Sequence, residues 1–563
     1  MALDLTPEQR TVGKKNFEQA AGDLARMKGP DRRDFIKSMA AAGAVVPLSA
    51  AAYFGYESWK GNKAVKTALI GCGDEGGVLI GDHNPEFNEV VAVCDVRPSN
   101  MKRIFAGDSG PRKGLNKVYG ESTAKRIKQY DDYKQLIADK DKLGLEAVII
   151  ATPLITHHEI ANECMKAGLH VLCEKLMART IGLCKGMIKT AKETGRLLSI
   201  GHQRHYSMLY AHALEVVNAG VLGDVKHIRA LWHRNNSWPF TASEKDRETF
   251  ATGKDVDGKP FDIPFYRDGW CKPVLKVDAE AFLKDPKWLE ALGYKSITEL
   301  VRWRLYDRTG GGLMAELGSH QLDAASIFLG KVHPIAVSGV GGKFFYGPGR
   351  NDRESDDGVF VTFEFPGKNH PKAGKGGTDE SDVVVVTYSS INTNSFENYG
   401  ECLMGSRGTM IVEMEKDVFL FKEKEPGKDK ADAKETSVAV TQDKAGKPVM
   451  ESASTWGGGG AAISKGSTAP AWDTPVRGYR SEMEHFAYCV RKWDPKLGWE
   501  KRDGKFVQEV PRCHGEVAMA DAILALTANM AMKKRERIVF EDGWFKADSP
   551  DAPETKYGSN DRA

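Results

Sequence analysis

Two kinds of hydrophobic spacing divide the chain. Up to about residue 204, short unbroken apolar runs alternate with segments of helical period. Lys63–Ile70, Glu89–Cys94, Ala147–Thr152, His170–Cys173 and Leu197–Ile200 are runs of the first kind. Such runs fit strands buried on both faces. Between them, His158–Ala167 (closed by Gly168) and Cys184–Thr194 read as helices. This alternation predicts a parallel, doubly wound α/β sheet over residues 63–204. The pattern then changes. Val225–His233, Pro334–Gly341, Gly358–Phe365, Val383–Ser390, Glu401–Met404 and Thr409–Glu413 read as strands of an open, largely antiparallel sheet. Helical patterns at Leu313–Leu329, Ser481–Val490 and Glu516–Met532 complete an α+β domain over 205–545. Insertions are expected near 235–309 and 424–475, with a loop at 366–382. Residues 1–30 show no core-facing helix pattern, and the polar tail 546–563 is expected to fray.

The first strand runs straight into Gly71-x-Gly73-x-x-Gly76. A dinucleotide-binding strand-to-helix turn needs that order. One glycine makes the turn, one lets backbone approach a pyrophosphate, and one lets helix and strand pack closely. Asp95 ends the second strand 24 residues after Gly71, where a ribose-binding carboxylate belongs. The first domain is therefore expected to be a Rossmann NAD-binding domain. Asp95 favours NAD, because it would repel a 2′-phosphate, whereas Arg97 beside it leaves NADP open.

Composition narrows the partners. Eighty Lys+Arg against 77 Asp+Glu give a net charge of +3, which offers no electrostatic case for nucleic acid. The nine cysteines lack Cys-x-x-Cys spacing and lie mostly in apolar runs, so neither disulfides nor a metal centre is expected. Asp31-Arg32-Arg33-Asp34-Phe35-Ile36-Lys37 precedes an alanine-rich apolar stretch ending near Ala50-Ala51-Ala52. That order matches a twin-arginine export signal over residues 1–62. It predicts a folded periplasmic protein whose only membrane association would be an uncleaved signal anchor. Five of the 11 tryptophans fall between Trp232 and Trp303, as platforms for sugar rings or as the core of the insertion.

Along Leu313–Leu329, Glu316, His320 and Asp323 share one helical face at i, i+4 and i+7. On an otherwise apolar helix such a stripe is costly unless it is paired or used. The glycine turn, Asp95, Thr152-Pro153-x-x-x-His157, Ala167-Gly168-x-His170-Val171-x-x-Glu174-Lys175 and Glu316-x-Gly318-x-His320-x-x-Asp323 together resemble the Gfo/Idh/MocA family, over roughly residues 63–420 and the later helices. The chain has Glu174-Lys175-Leu176 where the family has Glu-Lys-Pro, and Glu316 where it has Asp.

That resemblance implies an NAD(P)-dependent oxidoreductase acting on a secondary alcohol of a sugar, glycoside or polyol. His320 would be the base, Lys175 would hold the reacting oxygen, and Glu316 would orient the imidazole. Thr152, Pro153, His157, Glu174 and Lys175 would line the nucleotide. Gln203, Arg204 and Asp323 would face substrate. A tightly held nucleotide and a homo-oligomer are expected as well. Two alternatives stay open: an NAD-dependent glycosidase using the same residues, and a non-catalytic sugar or nucleotide binder.

Overall fold

The computed structural model describes residues 5–27, 50–59, 61–108, 110–236, 248–261, 270–271, 273–347, 353–374, 376–423, 438–442, 448–452 and 477–558. In the first domain the strands are β1 Val65–Ile70, β2 Asn88–Cys94, β3 Lys128–Tyr130, β4 Ala147–Ile150, β5 His170–Glu174 and β6 Leu198–Gly201. They form one sheet in the order β3-β2-β1-β4-β5-β6, and every neighbouring pair is parallel. β4, β5 and β6 are buried at every position, which is why they read as continuous apolar runs. Edge strand β3, Lys-Gln-Tyr, is mostly exposed and carries no apolar signal. In register, Ile70 lies beside both Cys94 and Ile150. The residues that follow these strands, Gly71, Asp95 and Ala151, therefore line up along one carboxyl edge.

The second sheet contains β7 Val225–His233, β8 Ala336–Gly342, β9 Gly358–Pro366, β10 Val383–Ile391, β11 Tyr399–Gly405, β12 Gly408–Glu413 and β13 Asp417–Lys422. Their order is β13-β12-β11-β7-β10-β9-β8, with a short strand Ile538–Val539 beyond β8. All pairs are antiparallel except β7 with β10. Burial alternates along β10, so one face is covered and the other is open. The helices Ser319–Phe328 and Gly515–Lys534 lie against this domain. Val340, Phe344 and Phe360 remain exposed.

Four sequence expectations need correction. Residues Pro7–Met27 form a helix rather than a patternless arm. Phe17, Ala20 and Leu24 are buried, Asn16 donates to the Leu420 carbonyl at 2.9 Å, and Arg10 pairs with Glu413. Three apolar residues spread over eight positions make a stripe too thin to stand out. Phe17→Ala should lower stability by roughly 3 kcal/mol, read from the denaturant midpoint. The tail does not simply fray. Buried Lys185 donates to the carbonyls of Gly543, Ser549 and Asp551, and Glu554 accepts from the Gly182 amide at 2.6 Å, beside a helix Pro553–Tyr557. Capture of backbone carbonyls by a lysine leaves no trace in composition. Within the loop expected at 424–475, Val438–Gln442 and Pro448–Ser452 pair as a hairpin. The pattern at Leu313–Leu329 opens with a π-helical turn, Met314–Gly318, before the α-helix.

The Arg32-Arg33 motif, the glycine run after Trp456 and Trp238 all lie outside the described residues. Ala50–Phe54 is a short helix. Among the described residues, no helix is long and apolar enough to cross a membrane.

Candidate active site

The glycine turn has the close approaches its spacing predicts. Gly71 has φ +97°, and a Cβ there would lie 2.4 Å from the Ala151 carbonyl oxygen. At Gly76 a Cβ would lie 2.1 Å from the Gly71 oxygen, whereas at Gly73 it would meet no atom within 4 Å. Tight packing beneath the turn and open space above its middle glycine fit a pyrophosphate at the N-terminus of helix Asp74–Asp82. Gly76→Ala should therefore weaken NADH binding at least tenfold, as fluorescence titration would measure.

Asp95 accepts from the Cys72 amide (2.7 Å), the Arg97 amide (2.7 Å) and Asn100 Nδ2 (3.1 Å). A carboxylate has about four acceptor positions, so one remains for a ribose hydroxyl. The Arg97 guanidinium is not free for a 2′-phosphate, because it bonds Asp278 at 2.9 and 3.0 Å. These residues fit NAD.

On the neighbouring strands, Thr152 Oγ1 accepts from Thr156, and Pro153 caps the turn Leu154–Thr156. His157 is buried, with its Nδ1 2.8 Å from the Leu176 carbonyl and its Nε2 2.9 Å from the Thr152 carbonyl. Both ring nitrogens are engaged, so His157 ties two loops of the carboxyl edge together instead of touching the nucleotide. Glu174 is buried at the end of β5. Burial, then the charge of Glu75, pushes its carboxyl well above the usual range. Next to it, Lys175 Nζ donates to the Glu316 carbonyl at 2.9 Å, reaching from the nucleotide domain to the helix that bears His320.

His320 is 8% exposed, and its ring lies 5.5 Å from that of Trp232, which stacks on Tyr399 at 4.4 Å. Burial depresses its proton affinity well below the ordinary histidine value, and the nearby charges of Lys175 and Arg204 depress it further. A neutral imidazole is what a general base requires. Glu316 does not take the orienting role its spacing suggested. Its carboxylate accepts from Arg304 Nε at 3.0 Å. The Arg304 guanidinium, brought in from the turn Trp303–Leu305 outside this helix, is a partner that helical spacing does not reveal.

Gln203, Arg204 and Asp323 also depart from expectation: all three lie behind the site rather than facing substrate. Arg204 is 1% exposed and donates to the His320 carbonyl (2.6 Å), to Glu401 (2.8 Å) and to Glu415 (2.7 Å). Gln203 also donates to Glu415. Asp323 accepts from Lys331 and lies 2.9 Å from His205 Nε2. His202, Asp323 and Asp521 offer ligand atoms within 4.8 Å of one another, yet the Lys331 ammonium bonds both carboxylates. Site residues that sequence reasoning missed include Arg304 and Arg234, whose guanidinium sits 5.0 Å over Trp232. Neither belongs to a spaced motif. Trp288, by contrast, stacks on Phe282 inside the insertion, so the tryptophans divide between site and core.

Residues 65–202 match the oxidoreductase family model described as an NAD-binding Rossmann fold, and residues 289–401 match the GFO/IDH/MocA C-terminal domain. Those two segments are thus similar to the two domains of the Gfo/Idh/MocA family. Similar proteins include a glycosyl hydrolase family 109 protein of Stenotrophomonas maltophilia, 30% identical over 202 residues. That alignment covers 35% of this chain and 41% of the relative. An inositol 2-dehydrogenase of Salmonella paratyphi B is 34% identical over 136 residues, 24% of this chain and 35% of the relative. The chain thus spans about half or less of the curated relatives it matches. A levoglucosan dehydrogenase solved with NADH and levoglucosan shares the fold at TM-score 0.50 and 14% identity, over 85% of this chain and all of that one.

Proposed function

We propose that this protein oxidises a secondary alcohol of a sugar or polyol, using a nicotinamide nucleotide it keeps bound. One observation carries the reading: Lys175 crosses from the Rossmann domain to the helix segment of His320, where burial first and the lysine charge second keep the imidazole neutral. NAD, when bound, accepts the hydride. His320 takes the hydroxyl proton as the C–H bond breaks, and Lys175 holds the oxygen while it gathers negative charge. Trp232 and Tyr399 supply flat faces for a sugar ring. NADH formation with a panel of sugars, inositols and their glycosides tests the reading. Absence of both oxidation and cleavage across that panel, by protein carrying nucleotide, would sink it.

The pH profile follows from the depressed imidazole. His320 stays in its base form as pH falls through 6.5, so kcat/KM should remain flat there and decline only at lower pH. An acid limb centred on ordinary histidine titration would contradict the assignment.

A second reading, glycoside cleavage through transient oxidation of a ring carbon, is favoured by the similarity to glycosyl hydrolase family 109 proteins. Release of the leaving group without net NADH, with solvent deuterium entering the product, would select it. The twin-arginine pattern supports a periplasmic location, and the exposed apolar residues of the open sheet face support a homo-oligomer.

A further inference from the structure

The insertion between β7 and the His320 helix has its own small core, built on Phe282, Leu289, Tyr294, Ile297 and Leu300. That core does not stand apart from the nucleotide domain. It packs against Val96, the residue after Asp95, and against Ile155, in the turn that follows β4. The insertion therefore straddles the carboxyl edge of the Rossmann sheet at two separate strand ends. Its helix Lys276–Lys284 contributes Asp278, whose side chain is wholly buried. Asp278 binds the Arg97 guanidinium and also accepts from the Ser99 amide (3.1 Å) and the Ser99 hydroxyl (2.7 Å).

Asp95 and Arg97 flank Val96, so the insertion meets the nucleotide domain at the adenosine end of the groove.

We propose that the insertion seals the adenosine end of the NAD site, with the Asp278–Arg97 pair as the latch holding the seal. This rests on NAD binding by the Rossmann domain and is independent of which alcohol is oxidised. Slow release of nucleotide is its consequence. Asp278 belongs to no sequence motif, so this contribution comes from the tertiary arrangement alone.

The test is a chase. Protein purified with its nucleotide is mixed with excess isotope-labelled NAD, and the unlabelled nucleotide still bound is followed by mass spectrometry. Wild-type protein should exchange over many minutes. Ser99→Ala removes one of the hydrogen bonds that hold Asp278, so the fold and thermal midpoint should hold while release quickens several-fold. Asp278→Asn, which breaks the charged latch, should quicken release about tenfold or more. Wild-type exchange complete within seconds, or release from both variants within twofold of wild type, would overturn the proposal. Turnover does not enter the readout. Protein inactive on every sugar but releasing nucleotide slowly in an Asp278-dependent way would leave the seal standing and remove only the dehydrogenase reading.

Discussion

His320→Asn should lower turnover by a hundredfold or more while leaving NAD binding within about twofold of wild type. The argument rests on what surrounds the imidazole. Its ring is nearly enclosed beside Trp232, and burial together with Lys175 and Arg204 keeps it unprotonated. Asparagine fits that space and still forms hydrogen bonds, but it cannot take a proton at working pH. The nucleotide edge belongs to another domain, with Gly71, Gly73, Gly76 and Asp95 untouched, so binding and chemistry should separate cleanly. Steady-state kinetics read beside NADH fluorescence titration would show this. Equal losses in both would mean that His320 supports the fold of the cleft, and unchanged turnover would remove it from the mechanism. Lys175→Met offers a companion measurement, since it removes the cation that holds the reacting oxygen and relieves the depression of His320 together. Its acid limb should therefore move towards ordinary histidine titration, a shift that a purely structural lysine would not produce.

The parts of the molecule visible in the sequence are those whose physics is local. A strand buried on both faces reads as a nearly unbroken apolar run, so β4 and the middle of β5 stand out. A glycine forced by a carbonyl 2.1 or 2.4 Å from a would-be Cβ leaves its mark at a fixed spacing. Lys175 and His320 were legible because each sits at a motif position, although 145 residues separate them in the chain. Other features depend on partners far away in sequence. Arg304, from the turn Trp303–Leu305, meets Glu316 through tertiary packing that helical spacing does not register. Arg204 looked like a residue facing substrate because it follows the last Rossmann strand, yet two glutamates from the second sheet draw it into the core. The N-terminal helix is seen only once β13 is there to receive Phe17 and Asn16.

Arg204 carries the second large effect, and it falls on stability. Its guanidinium, 1% exposed, bonds the carboxylates of Glu401 and Glu415 and the carbonyl of His320, and it lies 5.2 Å over the Tyr210 ring. Removing one partner of a buried pair leaves the other charge stranded, at a cost of about 3–5 kcal/mol. Arg204→Met should therefore lower the unfolding free energy by about that amount at pH 8. Glu401 gives the loss a distinctive pH dependence. Burial already pushes its carboxyl up to about 7, against the lowering influence of Arg204, so removing the arginine should raise it further. A carboxyl with a raised folded value binds more protons folded than unfolded between its ordinary value and the raised one. Stability is therefore retained at low pH and lost as pH climbs through that window. The variant should be least impaired near pH 5 and most impaired near pH 8. Adding Glu401→Gln should restore part of the loss at pH 8 and little at pH 5. A deficit of the same size at both pH values would mean that packing of the arginine stem, rather than the stranded carboxylate, accounts for the effect. Because the same guanidinium holds the His320 carbonyl, whatever fraction of the variant stays folded should also turn over more slowly without a change in NADH affinity.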